Sequence, residues 1–319
     1  MKFSVILATR NRPGLFKKAL DSVLAQRGTE LEIIIVNDGS DEEHQDAYFA
    51  IEGSLPEHSQ ILHLPKAMNG HGQSYALNFG AACASGDYLC FLDDDDSWID
   101  AAHLARAARQ MASIDARPDL YFTCQHAYAG DTLKKGEIWL DGLENRLGPE
   151  LRLDGTNAFI VQVADLLKAT GFAHVNNTII RRAYFEGIRG FDETLRYECD
   201  RDFYLRAVDG ASSIIFDPTV ISRHNIPDPA AGTAMSTMLG DIDKRLYQLR
   251  VLDKAISFSQ HRELRDHAKT HKAFALQKLS DTLFEAGRPA EAFYYAREAV
   301  LLRPSLSALG SVLKRALRR

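Results

Sequence analysis

The chain of 319 residues contains no long apolar run. A helix that crosses a membrane needs roughly 18 or more apolar residues in succession. The first apolar run, Phe3 to Ala8, is much shorter and meets Arg10 and Arg12 at once. It is also too short for the apolar core of a secretion signal. The sequence therefore predicts a cytoplasmic protein.

The chain also has few cysteines and no excess of positive charge. The four cysteines are scattered and show none of the paired spacings of a metal site, so we expect free thiols in a reducing compartment. Lys and Arg number 38 against 43 Asp and Glu, which gives a formal net charge of -5. Non-specific binding to nucleic acid needs a basic surface. We therefore expect no nucleic-acid partner.

Two glycine-rich nucleotide-binding loops are missing as well. The first apolar run is not followed by Gly-x-Gly-x-x-Gly, and no Walker loop occurs in the chain. These loops are typical of dinucleotide-binding folds and of P-loop proteins, respectively. The sequence predicts neither class.

What the chain does contain is an apolar run that ends in four consecutive aspartates. Residues Tyr88 to Leu92 have the length of a buried strand, and Asp93 to Asp96 follow directly. Four adjacent carboxylates repel one another, and a hard divalent cation would relieve that repulsion. Acidic residues also favour the start of a helix, which is predicted over 101–112. We expect both roles: the last aspartates cap the helix, and the earlier ones face a site.

Strand and helix patterns alternate before this run. The apolar segments Phe3 to Ala8 and Leu31 to Val36 predict buried strands, separated by an amphipathic helix. This alternation is typical of an α/β fold with a parallel sheet. Polar clusters follow three of the strands, at Thr9 to Arg12, Asp38 to Asp41 and Asp93 to Asp96. Because parallel strands end at one edge, we expect the clusters to lie together, where ligands bind in such sheets.

Five segments, taken in their order, spacing and strand context, resemble glycosyltransferase family 2. They are Ala8 to Arg12, Ile35 to Ser40, Asn69 to Gly72, Asn78 to Gly80 and Gly86 to Asp96. The resemblance covers about the first 100 residues. It implies the GT-A fold, which is a Rossmann-like α/β fold with a mostly parallel central sheet and flanking helices.

The resemblance also implies roles in binding a nucleotide-diphosphate sugar. Thr9 and Asp38 would hold the base and ribose, Arg12 would reach the diphosphate, and Asn69 would contact the nucleotide. Uridine is the base that the family favours. One position departs from the family pattern: Leu77 stands where the family often has an arginine. A contact to the diphosphate is then lost or supplied from elsewhere.

Asp93, Asp94 and Asp95 would form the Asp-x-Asp motif of that family. Asp93 and Asp94 are assigned to the donor, and Asp95 is assigned to a divalent metal, Mn²⁺ or Mg²⁺. His224 resembles a histidine that can complete the metal ligands in the family. A lone histidine is also common on a surface or in a core.

A second segment, Tyr197 to Arg206, resembles the part of the family in which an acidic pair opens a helix. The resemblance assigns the general base to Asp200, with Glu198 and Asp202 as fallback candidates. A sugar hydroxyl is a poor nucleophile until a carboxylate accepts its proton during attack. The alternative role of these acids is to favour the start of the helix from Arg201.

The remaining parts are less regular. Residues Tyr121 to Gly171 are predicted to be irregular, and the resemblance implies that they help to form the acceptor site. A further strand is predicted over Thr178 to Ile180, and the polar run His174 to Asn177 before it could face the acceptor. The last predicted strand, Ile214 to Phe216, ends in a turn at Asp217 and Pro218.

The composition changes to long helical patterns after residue 230. We expect a catalytic domain over residues 1–230 and a helical domain over 231–319, which contains one tetratricopeptide-like unit. One unit rarely stands alone, so it would pack on other helices, on the catalytic domain or on a second subunit, as in a homo-oligomer. The last residues are basic and amphipathic. They form either an ordinary packed helix or a peripheral contact with an anionic membrane.

The sequence thus predicts a metal-dependent, inverting glycosyltransferase. Its partners would be a nucleotide-diphosphate sugar and a glycan or lipid-linked acceptor, in bacterial surface polysaccharide synthesis. A second hypothesis is a catalytically degenerate binding or scaffolding protein that acts through its C-terminal helices, which Leu77 would support. A sugar-phosphate nucleotidyltransferase is a third. It would need a glycine-rich loop after the first strand, and Ala8 to Arg12 contains no glycine.

Overall fold

The computed structural model describes residues 1–134, 138–227, 235–304, 309–310 and 312 of the chain. The chain divides into two compact units, Met1–Ile226 and Pro227–Arg319. The division lies close to the boundary expected at residue 230, and the roles assigned to the two domains stay predictions. The basic residues 313–319, on which the predicted membrane contact depends, lie outside the described residues.

The first unit is built on a ten-stranded sheet. Its strands are β1 (Lys2–Thr9), β2 (Glu30–Asn37), β3 (Ser59–His63), β4 (Tyr88–Phe91), β5 (Ser97–Trp98), β6 (Leu120–Ala129), β7 (Thr132–Leu133), β8 (Phe159–Val161), β9 (Thr178–Arg181) and β10 (Ile214–Asn225). Its helices are α1 (Pro13–Leu24), α2 (Gln45–Glu52), α3 (Gln73–Ala82), α4 (His103–Ala112), α5 (Val163–Leu166), α6 (Arg182–Gly187) and α7 (Cys199–Gly210). The main strand order is β3-β2-β1-β4-β9-β6-β10-β5.

The first half of the sheet is parallel, as the alternating pattern predicts. Strand β1 pairs in parallel with β2 on one side and with β4 on the other. Thr9 lies opposite Asn37 in this register, and Ile6 lies opposite Phe91. The polar clusters that follow β1, β2 and β4 therefore leave the sheet at the same edge.

The second half of the sheet is mixed. Strand β9 runs antiparallel to both β4 and β6, whereas β10 is parallel to β6. The prediction of an irregular segment from Tyr121 onward is wrong for β6, a strand of 10 residues. Polar residues such as Thr123 and Gln125 interrupt its apolar pattern, yet both side chains are buried. These two side chains form polar contacts inside the molecule. A pattern of apolar residues does not predict such contacts.

The prediction of a turn at Asp217 and Pro218 is also wrong. Strand β10 continues through both residues to Asn225. Its pairing with β6 shifts register between Phe216 and Val220. A proline has no N–H to donate to a neighbouring strand, and an irregularity in the pairing is where a strand tolerates it. This continuation carries His224 to the site edge of the sheet.

Helices cover both faces of the sheet. On one face, α1, α2 and α4 pack on Val5, Leu7 and their neighbours in a continuous buried cluster. On the other face, α3 packs on β1 and β2. A methyl group at Gly80 of α3 would lie only 2.7 Å from Ile6, so glycine sets how closely this helix approaches. The flanked sheet agrees with the predicted fold class.

The second unit is helical, as its sequence pattern predicts. It contains α8 (Met235–Met238), α9 (Asp241–Phe258), α10 (Arg262–Glu285) and α11 (Pro289–Leu302). Helix α10 packs on α9 and α11, and the Ser280 hydroxyl donates to the Ala292 carbonyl oxygen at 2.6 Å. In the described part of the chain, no helix has both the length and the apolar character needed to span a bilayer.

Candidate active site

The four aspartates that follow β4 differ in burial and in partners. Asp94 is 1% exposed, and its carboxylate accepts from the Arg12 guanidinium. Arg12 Nη1 also donates to Asp95 Oδ2 at 3.0 Å. Burial raises the pKa of Asp94 to about 7, and the positive charge of Arg12 opposes that rise. Arg12, predicted to reach the diphosphate, is thus held by these two aspartates.

Asp96 connects the end of β4 to β10. Its Oδ2 lies 2.8 Å from His224 Nδ1, and its Oδ1 accepts from the Asn225 backbone N–H at 2.7 Å. The Asn225 side chain donates to the Asp95 carbonyl oxygen at 2.6 Å. Burial alone lowers the pKa of His224, but the hydrogen bond and the charge of Asp96 raise it overall. His224 therefore lies beside the aspartate cluster, with Asp96 as its carboxylate partner.

Asn176 holds Asp93 and Asp96 in place. It is 1% exposed and lies just before β9. Its Oδ1 accepts from the Asp93 backbone N–H at 2.9 Å, and its Nδ2 donates to Asp96 Oδ2 at 2.6 Å. The sequence marked the polar run around Asn176 but gave it no such role. Short motifs do not show which distant backbone groups an amide will meet.

His174 lies between the aspartate cluster and α7. Its Nε2 is 3.8 Å from Asp93 Oδ2 and 3.7 Å from Asp200 Oδ2. Burial lowers the pKa of His174, and the nearby Asp200 opposes this shift. Asp93 has its pKa raised well above the usual range by burial and then by the charges of Asp96 and Asp95. This cluster concentrates negative charge in a dry setting, which a bound cation would stabilise.

One group of side chains has the donor atoms and spacing of a metal site. Single donor atoms of Asp93, Asp96 and His174 all lie within 4.8 Å of one another. Two carboxylates and an imidazole fit Mn²⁺ well, and Mg²⁺ accepts the carboxylates. The predicted ligands Asp95 and His224 lie beside this group, where they contact Arg12 and Asp96. Their assignment to the metal stays a prediction.

Asp38 organises the loop after β3. Its Oδ1 accepts from the His71 backbone N–H at 2.9 Å and lies 2.7 Å from His71 Nδ1. Its Oδ2 accepts from the Gly72 N–H at 2.9 Å. Thr9 lies nearby on β1 and is buried, with its hydroxyl 2.8 Å from the Tyr48 hydroxyl. Asn69 is exposed in the same loop as His71. The donor roles of these residues stay predictions.

The three candidate bases, two on α7 and one directly before it, differ in accessibility. The Asp200 side chain is 25% exposed, whereas the Asp202 side chain is only 2% exposed and accepts from Arg206 Nε at 2.9 Å. Glu198 is 12% exposed and lies 3.4 Å from Arg201 Nη1. Asp200 is the candidate that best combines exposure with proximity to the aspartate cluster.

Trp139 brings the segment before α5 to the same site. Its ring lies 5.2 Å from the His224 ring and 6.0 Å from the His174 ring. Its φ is 59°, which is uncommon for a bulky residue and marks a constrained position. Gly171 lies against its backbone, where a methyl group would be 2.7 Å from Trp139 N. Sequence reasoning noted Trp139 but had no signal that placed it here.

The mostly parallel sheet with flanking helices is a glycosyltransferase fold of the GT-A type. The model of the family named glycosyl transferase family 2 matches residues 4–186, which is more than half of the chain. The chain belongs to that family.

Several relatives are described as glycosyltransferases, and one as a polysaccharide biosynthesis protein. The chain is 26% identical to an uncharacterized glycosyltransferase of Rickettsia typhi over 225 residues, which are 70% of this chain and 64% of that protein. It is also 26% identical to the succinoglycan biosynthesis protein ExoW of Rhizobium meliloti over 200 residues, 60% of this chain and 58% of that protein. A 37% identical match to an uncharacterized glycosyltransferase of a Nostoc species covers 31% of this chain and 29% of that protein. The chain thus spans less than two thirds of each relative.

Solved structures share the fold. The TarS fragment 1–349 of S. aureus in complex with UDP-GlcNAc superposes with a TM-score of 0.69 at 16% identity and covers 99% of this chain and 89% of that chain. The mannosyltransferase PcManGT of Pyrobaculum calidifontis, in complex with GDP-Man and Mn²⁺, gives 0.56 at 17% identity and covers 99% and 79%. At such low identity the likeness shows the fold alone.

Proposed function

We propose that this glycosyltransferase is metal-dependent and inverting, and that it transfers a sugar from a nucleotide diphosphate to a hydroxyl of a glycan or lipid-linked acceptor. The observation that best supports the proposal is the position of His174. Its Nε2 lies 3.7 Å from Asp200 Oδ2 and 3.8 Å from Asp93 Oδ2. A base for an acceptor and a cluster suited to a diphosphate and its cation therefore lie side by side. UDP is the favoured nucleotide of the donor: the sequence resemblance favours uridine and the TarS fragment binds UDP-GlcNAc, whereas PcManGT binds GDP-Man.

In this mechanism the acceptor oxygen attacks the anomeric carbon of the donor from the face opposite the diphosphate. The bond between that carbon and the diphosphate oxygen breaks, its electron pair leaves with the nucleoside diphosphate, and the hydroxyl proton moves to Asp200. One displacement inverts the anomeric configuration. Asp200 can reach an acceptor hydroxyl because its side chain is 25% exposed beside the aspartate cluster.

The metal would be held by Asp93, Asp96 and His174, with Asp95 and His224 as the ligands proposed from the sequence. When bound, a divalent cation neutralises charge on the departing diphosphate. The fit rests on the donor set, because single donor atoms of two carboxylates and one imidazole lie within 4.8 Å of one another.

The experiment is slow donor hydrolysis across UDP-, GDP- and dTDP-sugars, with Mn²⁺ and with chelator. We expect one nucleotide to be released in a metal-dependent manner, and less of it by Asp200→Asn. Asp21→Asn, an exposed change on α1, is the control and should match wild type. Metal-independent release would contradict the metal assignment.

The alternative is a catalytically degenerate binding or scaffolding protein. Leu77 supports it, because the family often has an arginine at this position. A scaffolding protein would show no nucleotide binding in calorimetry, whereas a degenerate nucleotide-sugar-binding protein would bind the nucleotide without turnover even when an acceptor is present. The approach of Asp200, His174 and Asp93 to one another argues against it, because a protein without catalysis needs no such arrangement. Nucleotide binding without hydrolysis would mean that turnover requires the acceptor.

A further inference from the structure

Two arginines at the site edge have no carboxylate partner. In the part of the chain that the structure describes, neither Arg10 nor Arg196 forms an ion pair, unlike Arg12. Arg10 Nη2 reaches only the carbonyl oxygens of Ala67 and Met68, at 3.4 Å each. Its Nε is buried without any hydrogen-bond partner. An unpaired buried guanidinium nitrogen is costly, so a ligand that supplies an acceptor would be favoured.

Both guanidinium groups lie against the loop that contains Gly70 and Gly72. Arg196 Nη2 donates to the Gly70 carbonyl oxygen at 3.2 Å. A methyl group at Gly70 would lie 3.2 Å from Arg10 Nε, and one at Gly72 would lie 2.6 Å from Arg196 Nη1. Glycine at both positions, with φ of 64° and 104°, lets the two cations approach the backbone closely.

The same loop leads into the positive end of a helix. Helix α3 begins directly after Gly72, and its first turn contains no acidic side chain. Gln73, its first residue, donates to Asp93 Oδ1 at 2.6 Å, which links the loop to the aspartate cluster. Helix N-termini attract anions. The Asp38 carboxylate already accepts from the Gly72 N–H at this helix start. The two guanidinium groups lie against the same loop, and Gln73 links it to the aspartate cluster.

We propose that Arg196, with Arg10 beside it, binds the diphosphate of the donor and supplies the contact that Leu77 cannot make. This inference rests on the proposed function. Leu77 is 2% exposed in the core under α3 and carries no donor. Arg196 uses one N–H on Gly70 and keeps a planar fork of others, the geometry that suits phosphate oxygens. Arg196 also precedes α7, so a bound diphosphate would sit close to the segment that carries Asp200.

The test is calorimetry of the full chain with UDP, UMP and uridine in the presence of Mn²⁺. Arg196→Gln should weaken UDP binding by about 10- to 100-fold, the range expected for a charge-assisted contact, and leave uridine binding unchanged. Arg196→Lys keeps the charge without the fork, so its loss should be smaller. Arg109→Gln removes the same charge from an exposed position on α4 and should bind UDP as wild type does.

Three outcomes would overturn the inference. If Arg196→Gln weakens UDP and uridine by the same factor, the residue shapes the base site and not the diphosphate site. If both Arg196→Gln and Arg10→Gln bind UDP like wild type, neither touches the diphosphate. If wild type itself binds none of the three ligands, the proposed function fails first. Should Arg196→Gln not fold, Arg10→Gln and Arg196→Lys decide in the same ligand series, and wild-type UDP affinity in both would refute the proposal.

Discussion

Replacing Asn176 by alanine tests whether one buried amide holds the aspartate cluster together. Its side chain makes three hydrogen bonds in a setting that is 1% exposed: Oδ1 accepts from the Asp93 N–H at 2.9 Å, and Nδ2 donates to Asp96 Oδ2 at 2.6 Å and, over a longer distance, to Gln125 Oε1 at 3.4 Å. A buried N–H left unpaired costs about 1–3 kcal/mol, and a lost bond to a charged acceptor costs about 1.5–3 kcal/mol. Asp96 keeps His224 and the Asn225 N–H as partners. We therefore expect a loss of about 3 kcal/mol in the free energy of unfolding, near the lower end of the sum.

The neighbouring residue provides a matched control. Asn177 is also 1% exposed, but its Oδ1 accepts one bond, from Ser222 Oγ at 2.7 Å, and its Nδ2 has no partner. Asn177→Ala should therefore cost only about 1 kcal/mol. The two asparagines share burial and chain position, so the difference between them isolates the contacts to Asp93 and Asp96.

Urea unfolding followed by tryptophan fluorescence measures both variants. The chain has two tryptophans, Trp98 and Trp139, and both belong to the first unit, so the signal reports that unit. Donor hydrolysis should fall more in Asn176→Ala than in Asn177→Ala, because Asp93 loses its anchor. Equal destabilisation by the two variants, or a larger effect of Asn177→Ala, would refute the role assigned to Asn176.

Three further predictions concern pH, packing and metal. Burial alone would raise the pKa of Glu32, but hydrogen bonds from Ser4 and Ser85 lower it from 4.5 to about 2. The lowered value stabilises the fold by about 2–3 kcal/mol above pH 4.5, a contribution lost as the pH falls towards 2. Glu32→Gln should remove it in acid-titrated unfolding, whereas exposed Glu30→Gln should not. Gly171→Ala should lower the free energy of unfolding by about 1–3 kcal/mol, because the added methyl group forces the Trp139 backbone away. We expect a lower melting temperature and altered Trp139 fluorescence. An unchanged fluorescence spectrum would contradict this. Saturating Mn²⁺ should raise the melting temperature of wild type by mass action. It should raise the melting temperature of Asp93→Asn much less. Equal shifts in the two proteins would argue against the metal cluster.

Much of the fold is readable from local pattern. The buried strands β1 and β2 are almost wholly apolar, and the helix α1 between them has an apolar face, so a parallel α/β sheet follows from periodicity. Sequence periodicity does not predict strand β6, because the strand contains buried polar side chains. Their hydrogen-bond partners lie on neighbouring segments and are not visible in the local pattern. The sequence does not predict that β10 continues through Pro218, because a proline normally ends a strand. The strand continues here because its pairing with β6 shifts register at that point.

The sequence by itself determined the aspartate-tipped strand, the polar edge to which β1 and β2 contribute, and the family. These features lie in short contiguous segments, where residue type and local periodicity carry the information. Only the tertiary structure decided which partners the aspartates have: Arg12 on Asp94, His224 on Asp96, and His174 between Asp93 and Asp200. The chain segments involved are up to 128 residues apart, as between His224 and Asp96. Burial and packing of the whole sheet, rather than any local preference, bring their charged atoms within 4 Å of one another.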